Sequence, residues 1–316
     1  MGRGRRTSAR VSERVAALQD LLLTLKQSGY DFITPTPATH ARIIAREGRQ
    51  IARDLRDVFG WSLPFGADVV DAPLLSFLRG AGMLDESGQY LRSLVRVSSL
   101  DSDLYVHSAF PTTGADAVFF GPDSYRFANF LSETLPSLGA RAHVVDIGAG
   151  TGVGALMARR TLPEPRLTLA DINPRALDMA RANFGAAGVE AEFIESDGLK
   201  SVAGDIDLII ANPPYIADPA HRAYRDGGGM HGGELSLRWA QEAAHRLGPG
   251  GAFALYTGSA IVNGEDRLRA ALHDALADFD VLYGELDPDV FGEELERPDY
   301  ADVERIAVVG LVAVKR

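Results

Sequence analysis

Val144-Val145-Asp146-Ile147-Gly148-Ala149-Gly150-Thr151-Gly152-Val153-Gly154 reads as a β-branched strand that runs into a glycine turn and then into the start of a helix. Glycines let the backbone adopt left-handed conformations and approach a ligand closely, and the following helix presents free N–H groups at its first turn. The stretch is therefore a cofactor-binding junction. Around it, short apolar runs alternate with helical segments, the grammar of a parallel sheet covered on both faces. Strands are expected at 142–146, 167–171, 191–194, 206–211 and 252–257, with helices starting near Gly152, Pro174, Glu234 and Gly264. Residues 280–285 and 305–315 form two more strands, a final hairpin that makes the sheet edge antiparallel.

Asp171 closes the second strand, 21 residues after Gly150, where an acid accepts hydrogen bonds from both hydroxyls of a ribose. Two cofactors fit this geometry. Gly150, Gly152 and Ala155 satisfy the relaxed dinucleotide fingerprint, which admits NAD. Asp146 followed by the Gly-x-Gly-x-Gly run instead resembles motif I of the class I S-adenosylmethionine (SAM) methyltransferases. That resemblance implies that Asp146 and the loop backbone hold the methionine part of SAM, that Asp171 binds the ribose, and that Ser196-Asp197-Gly198 bring an acid to the adenine amine. A glycine-rich turn that merely joins strand to helix is the plainer alternative.

A second stretch separates these readings. The fourth strand runs straight into Asn212-Pro213-Pro214-Tyr215. Two prolines stiffen the chain just past a strand's C-terminal end, where open α/β sheets bind ligands. The Asn212 carboxamide oxygen and the Pro213 carbonyl can each accept one N–H of a planar NH2 group, and the Tyr215 ring can cover the conjugated plane. Two fixed acceptors favour pyramidal geometry at a poorly nucleophilic nitrogen and stabilise positive charge as a methyl group arrives. A dehydrogenase has no use for such a pocket.

Residues from about 118 to 255 resemble the amino-methyltransferases with an Asn-Pro-Pro-Tyr signature, among them the release-factor glutamine N5-methyltransferases and the wider methyltransferase small domain group, which includes ribosomal RNA guanine-N2 enzymes. The resemblance implies an α/β class I SAM methyltransferase fold, Rossmann-like, with a seven-stranded sheet. It implies Asn212, Pro213, Pro214 and Tyr215 as the catalytic set. The cofactor-binding set would be Asp146, Gly148, Gly150, Thr151, Gly152, Asp171, Ile172, Asp197, Gly198 and Asn212. Two details pull apart. Phe119-Phe120-Gly121-Pro122-Asp123-Ser124-Tyr125-Arg126 departs from the Pro-Arg-Pro-Glu-Thr-Glu segment of the glutamine enzymes and is closer to the Gly-x-Asp-Ser segment of the RNA enzymes. Tyr215 matches the glutamine and adenine enzymes, whereas the RNA guanine enzymes usually carry Phe. The acceptor is expected to be a protein glutamine amide, then an RNA or DNA base (RNA before DNA; adenine N6 or guanine N2), then a small metabolite. A non-catalytic SAM-binding scaffold is the reading of a different class, and Asn212–Tyr215 argues against it.

At about 150 residues per domain, 316 residues suggest two domains: a mainly helical substrate-recognition module over 1–115 and the methyltransferase domain over 116–316. Val11, Val15, Leu18, Leu22 and Leu25 mark one helix, stopped by Gly29; a second is expected over 37–59 and a third around Leu74, Leu75 and Leu78. Strand-like stretches at 90–97 and 104–110 follow, and helices before a short hairpin suggest a winged-helix-like module. On the second helix Arg42, Arg46, Arg49, Arg53 and Arg56 share one face. With the basic residues Arg3, Arg5, Arg6 and Arg10 they form either an RNA footprint or a solvated face.

Tyr224–Glu234, with five glycines, reads as a mobile substrate lid or as a helix-start turn. His231 within it is a candidate base or a merely exposed side chain. Glu293, Glu294, Glu296, Asp299 and Asp302 read as a solvated acidic loop or as a protein-facing surface. The net charge of −11, from 32 basic and 43 acidic residues, does not suit a general nucleic-acid coat protein. No cysteine is present, which excludes disulfides, thiolate metal sites and thiol nucleophiles. No metal is expected, because no His/Asp/Glu group has ligand spacing. The longest apolar run, 306–314, is too short to cross a bilayer, and no apolar segment follows the basic N-terminus. No membrane contact and a cytoplasmic location are expected.

Overall fold

A computed structural model of the chain describes residues 2–112, 114–218, 222 and 224–316, with side chains from residue 11 onward. Arg3, Arg5, Arg6 and Arg10 therefore lie outside the described side chains. The chain forms two compact units. One comprises Met1–Arg126 with Gly150–Val153 and Pro174–Glu190; the other comprises Phe127–Ala149, Gly154–Asn173 and Ala191–Arg316.

In the first unit, helix α1 (Gly2–Gln27) buries Leu18, Leu21, Leu22 and Leu25 and gives way at Gly29, whose φ is +72°. The expected second helix is two short ones, α2 (Pro37–Ile44) and α3 (Leu55–Phe59). Between them Gly48 turns left-handed at φ +73°, and Asp54 accepts the Asp57 N–H as an N-cap, a role only a helix-starting residue can take. The arginines consequently do not share a helix face. Arg49 and Arg53 turn to the buried Asp57 carboxylate, at 3.0 and 3.5 Å. Arg56 lies over the Phe32 ring at 5.9 Å.

Helix α4 (Ala72–Ala81) follows, capped by Asp71 and ended by Gly82 at φ +65°. Strands β1 (Leu84–Asp85) and β2 (Arg92–Ser93) pair with each other, and β3 (Val95–Leu100) and β4 (Asp103–Ser108) form an antiparallel hairpin. The expected strand over 90–97 thus divides at Leu94, and its second part runs on to Leu100. Helix α5 (Pro122–Thr134), which the sequence reading leaves unassigned, contains the division between the two units.

The second unit holds the sheet. Its strands are β5 (His143–Ile147), β6 (Arg166–Asp171), β7 (Glu192–Glu195), β8 (Leu208–Ala211), β9 (Ala252–Val262), the two-residue β10 (Glu265–Asp266), β11 (Phe279–Asp287) and β12 (Arg305–Lys315). The order is β11-β12-β9-β8-β5-β6-β7, with β10 folded back on β9. Pairings from β7 through β9 are parallel, while β12 is antiparallel to both β9 and β11. This is the expected seven-stranded α/β sheet with an antiparallel edge. Helices α6 (Val153–Thr161), α7 (Pro174–Ala187), α8 (Glu234–Arg246) and α9 (Arg267–Ala275) lie between strands in the chain. On one sheet face Val145, Ile209 and Phe253 pack with Trp239, Ala240 and Ala243 of α8. The chain begins the sheet at β5, steps outward to β7 and returns to β8 on the other side, so the topological switch point is at β5/β8.

Candidate functional site

Register places the suspected site at that switch point. Ile147 of β5 is paired with Ala211 of β8 and with Ala170 of β6, and Asp171 with Glu195 of β7. The glycine loop, Asn212, Asp171 and the Ser196-Asp197 turn therefore leave neighbouring parallel strands at their C-terminal ends.

Gly148, Gly150 and Gly152 have φ of +64°, +55° and +81°, conformations that disfavour any residue with a Cβ. Gly148 is doubly constrained, since a Cβ there would lie 2.5 Å from the Trp239 ring. The N–H groups of Gly148 and Ala149 both donate to Ala170 O, at 2.8 and 3.2 Å, and hold the loop's start to β6. Asp146 is buried beneath the loop, and its Oδ2 accepts the Ala155 N–H at 2.9 Å, bracing the first turn of α6. Burial pushes its carboxyl up to about 7; the Ala155 N–H acts downward and the Asp171 charge adds to the rise.

Asp171 is 8% exposed, and its Oδ1 accepts the Asn173 N–H at 2.8 Å. Ile172 stands beside it, 59% exposed. Asp197 is bonded to Lys200 and lies 2.8 Å from Arg238, contacts that hold its carboxyl below the usual range. Gly198 is left-handed, and Glu242 of α8 approaches it closely while accepting the Leu199 N–H at 2.9 Å. This donor set suits SAM: a turn of peptide N–H groups in place of a phosphate-binding cation, an acid at the second strand end and another at the third. The buried Trp239 Nε1, which has no partner among the described residues, is a spare donor on the side chain that underlies Gly148.

The Asn212–Tyr215 segment is braced from outside the motif. Tyr215 is 6% exposed; its ring packs so close to β9 that a Cβ at Gly258 would come within 2.2 Å of it, and Phe291 meets it edge-on at 5.7 Å. Ile216 pairs with the returning chain, donating to Arg225 O at 3.3 Å and accepting from Gly227 N–H at 2.9 Å. A Cβ on Gly232 would sit 2.3 Å from Tyr215 O, and one on Gly227 would sit 2.7 Å from Pro214 O. The glycines that suggested a mobile lid are thus the residues on which the motif's backbone rests, and the turn of Met230–Gly232 leads into α8.

The acidic stretch between β11 and β12 is likewise not simply solvated. Glu294 is buried between Arg225 and Arg297, and Asp302 lies 3.0 Å from His231 Nε2, so His231 is paired. The Tyr300 hydroxyl accepts the Ala217 N–H at 2.9 Å and donates to His231 O at 3.1 Å. Phe291, at φ +55°, carries backbone strain at this site. Gly258, Phe291 and Tyr300 were not singled out from the sequence, and Glu294 entered only as part of the acidic stretch. Only Gly258 carried a local signal, a lone glycine beyond a strand pattern that marks close backbone approach. Among the described residues no group of three His, Asp or Glu side chains is placed to hold a metal ion, and no helix is long and apolar enough to cross a membrane.

Residues 117–273 match the methyltransferase small domain family. A release factor glutamine methyltransferase of Deinococcus radiodurans is 36% identical over 126 residues, covering 36% of this chain and 45% of that protein. A ribosomal RNA small subunit methyltransferase C of Serratia proteamaculans is 40% identical over 75 residues, covering 24% of this chain and 22% of that one. The chain spans less than half the length of these curated relatives. A T. thermophilus 16S rRNA N2 methyltransferase, solved with AdoMet and guanosine, is 18% identical with a TM-score of 0.45, over 80% of this chain and 64% of that one.

Proposed function

We propose, from the premise that residues 117–273 are a class I SAM-dependent methyltransferase domain of the small-domain family, that the chain methylates a planar conjugated nitrogen, the side-chain amide of a protein glutamine. The observation that carries this is the register of Ile147 with Ala211, which sets Asn212-Pro213-Pro214-Tyr215 beside the glycine loop.

SAM, when bound, supplies an electrophilic methyl group. The chain's own part is alignment. Peptide N–H groups of residues 148–152 and the carboxylates of Asp171 and Asp197 hold the cofactor, with Asp146 acting from below through α6. The Asn212 carboxamide oxygen and the Pro213 carbonyl take the two N–H bonds of the acceptor, drawing its nitrogen out of conjugation. Tyr215 covers the acceptor plane, and Gly258 fixes the angle of the ring. The nitrogen that has taken the methyl group while keeping both N–H bonds is cationic and strongly acidic and would release one proton to water, so no general base is required.

One further observation supports a protein acceptor. Asp57 offsets two of the five arginines that suggested an RNA footprint. A nucleobase is the second reading, supported by the exposed Arg42, Arg46 and Arg56 and by the Serratia relative.

The test is transfer of labelled methyl from SAM into a host extract divided between protease and ribonuclease. Label lost only to protease is expected; label lost only to ribonuclease refutes the glutamine reading. Asn212→Ala should keep SAM affinity and lose transfer. Unchanged turnover would remove Asn212 from the chemistry, and SAM binding without transfer by the wild-type chain would favour a scaffold.

A further inference from the structure

A buried asparagine on α7 joins the N-terminal hairpin to the glycine loop. Asn183 is 1% exposed and lies on a helix face that otherwise buries Ala176, Met179 and Ala182. Its Oδ1 accepts the Val106 N–H at 2.8 Å, and its Nδ2 donates to Val106 O at 3.4 Å and to Thr151 O at 2.9 Å. The carboxamide thus pairs with the outer edge of β4 much as a neighbouring strand's peptide would, and has one donor left for the loop. The acceptor bond from Val106 sets the orientation of the amide, so the NH2 group must face the Thr151 carbonyl.

Asparagine is a poor residue for a helix interior, and burying an amide is costly unless its bonds are made. An alanine or leucine would fit an apolar helix face without either cost. What asparagine adds is direction. In a planar trans peptide the C=O and the following N–H point to opposite sides. Anchoring Thr151 O to α7 therefore turns the Gly152 N–H away from α7 and leaves it free of that helix. Gly150–Val153 and Pro174–Glu190 belong to the same compact unit as the N-terminal residues, which agrees with this anchorage.

We propose that Asn183 is a positioning residue for the cofactor loop, and that through it the β3–β4 hairpin sets the affinity for the aminocarboxypropyl part of SAM. The inference rests on the reading of residues 148–152 as the SAM loop.

The test uses the full chain, titrated calorimetrically with SAM and with methylthioadenosine, which has the same nucleoside and lacks the amino-acid part. Asn183→Asp keeps the acceptor for Val106 and loses the donor to Thr151; Asn183→Ser leaves room for water and guards against a misfolded aspartate variant. Both should raise the Kd for SAM, by about tenfold for Asn183→Asp, as expected for one lost hydrogen bond. Methylthioadenosine should stay within about twofold. Asp178→Ala breaks α7 contacts with Arg14 and Arg181 without touching the loop, and should leave both affinities unchanged. Equal weakening of the two ligands, or SAM affinity unaffected in both Asn183 variants, overturns the proposal. A wild-type chain that binds methylthioadenosine and SAM equally well overturns the reading of the loop, and the proposal with it.

Discussion

Replacing Gly258 with alanine should disable methyl transfer without touching the cofactor. The added Cβ would stand 2.2 Å from Cδ2, 2.6 Å from Cε2 and 3.0 Å from Cγ of Tyr215. Carbon atoms in contact settle at about 3.5–4.0 Å, so the ring or the strand must move by about 1.3 Å. The strand is the firmer of the two, because β9 is paired with β12 from Ala252 to Ile261, with Gly258 facing Val308, and with β8 up to Leu255. The ring therefore moves. Overpacking of this size costs about 1–3 kcal/mol of stability. A displacement of about 1 Å at an aligning group can cost about a hundredfold in rate. The assay is single-turnover transfer of labelled methyl into the acceptor fraction, beside a SAM titration. Transfer should fall about a hundredfold with SAM affinity within about twofold. In a Tyr215→Ala background the same substitution should cost little more, since the clash has gone. Wild-type turnover in Gly258→Ala, or SAM affinity falling with the rate, would refute the reasoning.

Asp171→Ala should weaken SAM binding by roughly ten- to a hundredfold, the worth of one charge-assisted hydrogen bond of about 1.5–3 kcal/mol; equal calorimetric affinities would dismiss it as the ribose ligand. Burial raises the Asp146 carboxyl from an ordinary 3.8 to about 7, so the folded chain binds its proton more tightly than the unfolded chain. This group's contribution is most favourable below about pH 4 and is lost as pH rises toward about 7. Asp146→Asn should remove that component from a series of melting curves across this range; an unaltered pH profile would contradict the assignment. Glu294→Ala strips the buried counter-charge from Arg225 and Arg297. It should expose the Arg225 bond to trypsin and slow transfer, and a digestion rate equal to wild type would show that the clamp is dispensable.

The β-branched strands, the glycine loop, the proline-stiffened motif and the antiparallel final hairpin were all readable along the chain. Each is written in local terms: a two-residue period, a left-handed glycine, a fixed φ. The structure moved most of their boundaries by only a few residues. The second helix failed for a local reason that spacing alone conceals. Its apolar residues keep a helical period across Gly48 and Asp54, yet a left-handed glycine and an N-cap break the backbone between them. The arginine stripe went with it, since a shared face exists only on a continuous helix. The role of the β11–β12 loop was not readable, because an acidic run looks alike whether it faces water or holds Arg225 and His231.

By itself the sequence determined the sheet class, the junction that suits SAM and the segment that suits a conjugated nitrogen, because strand pattern, glycine turn and paired prolines act through the backbone of their own residues. Only the tertiary structure decided what holds Tyr215, what Glu294 neutralises and that Asn183 reaches Thr151. Those are contacts between segments far apart in the chain, set by close packing and by the need of every buried polar group for a partner.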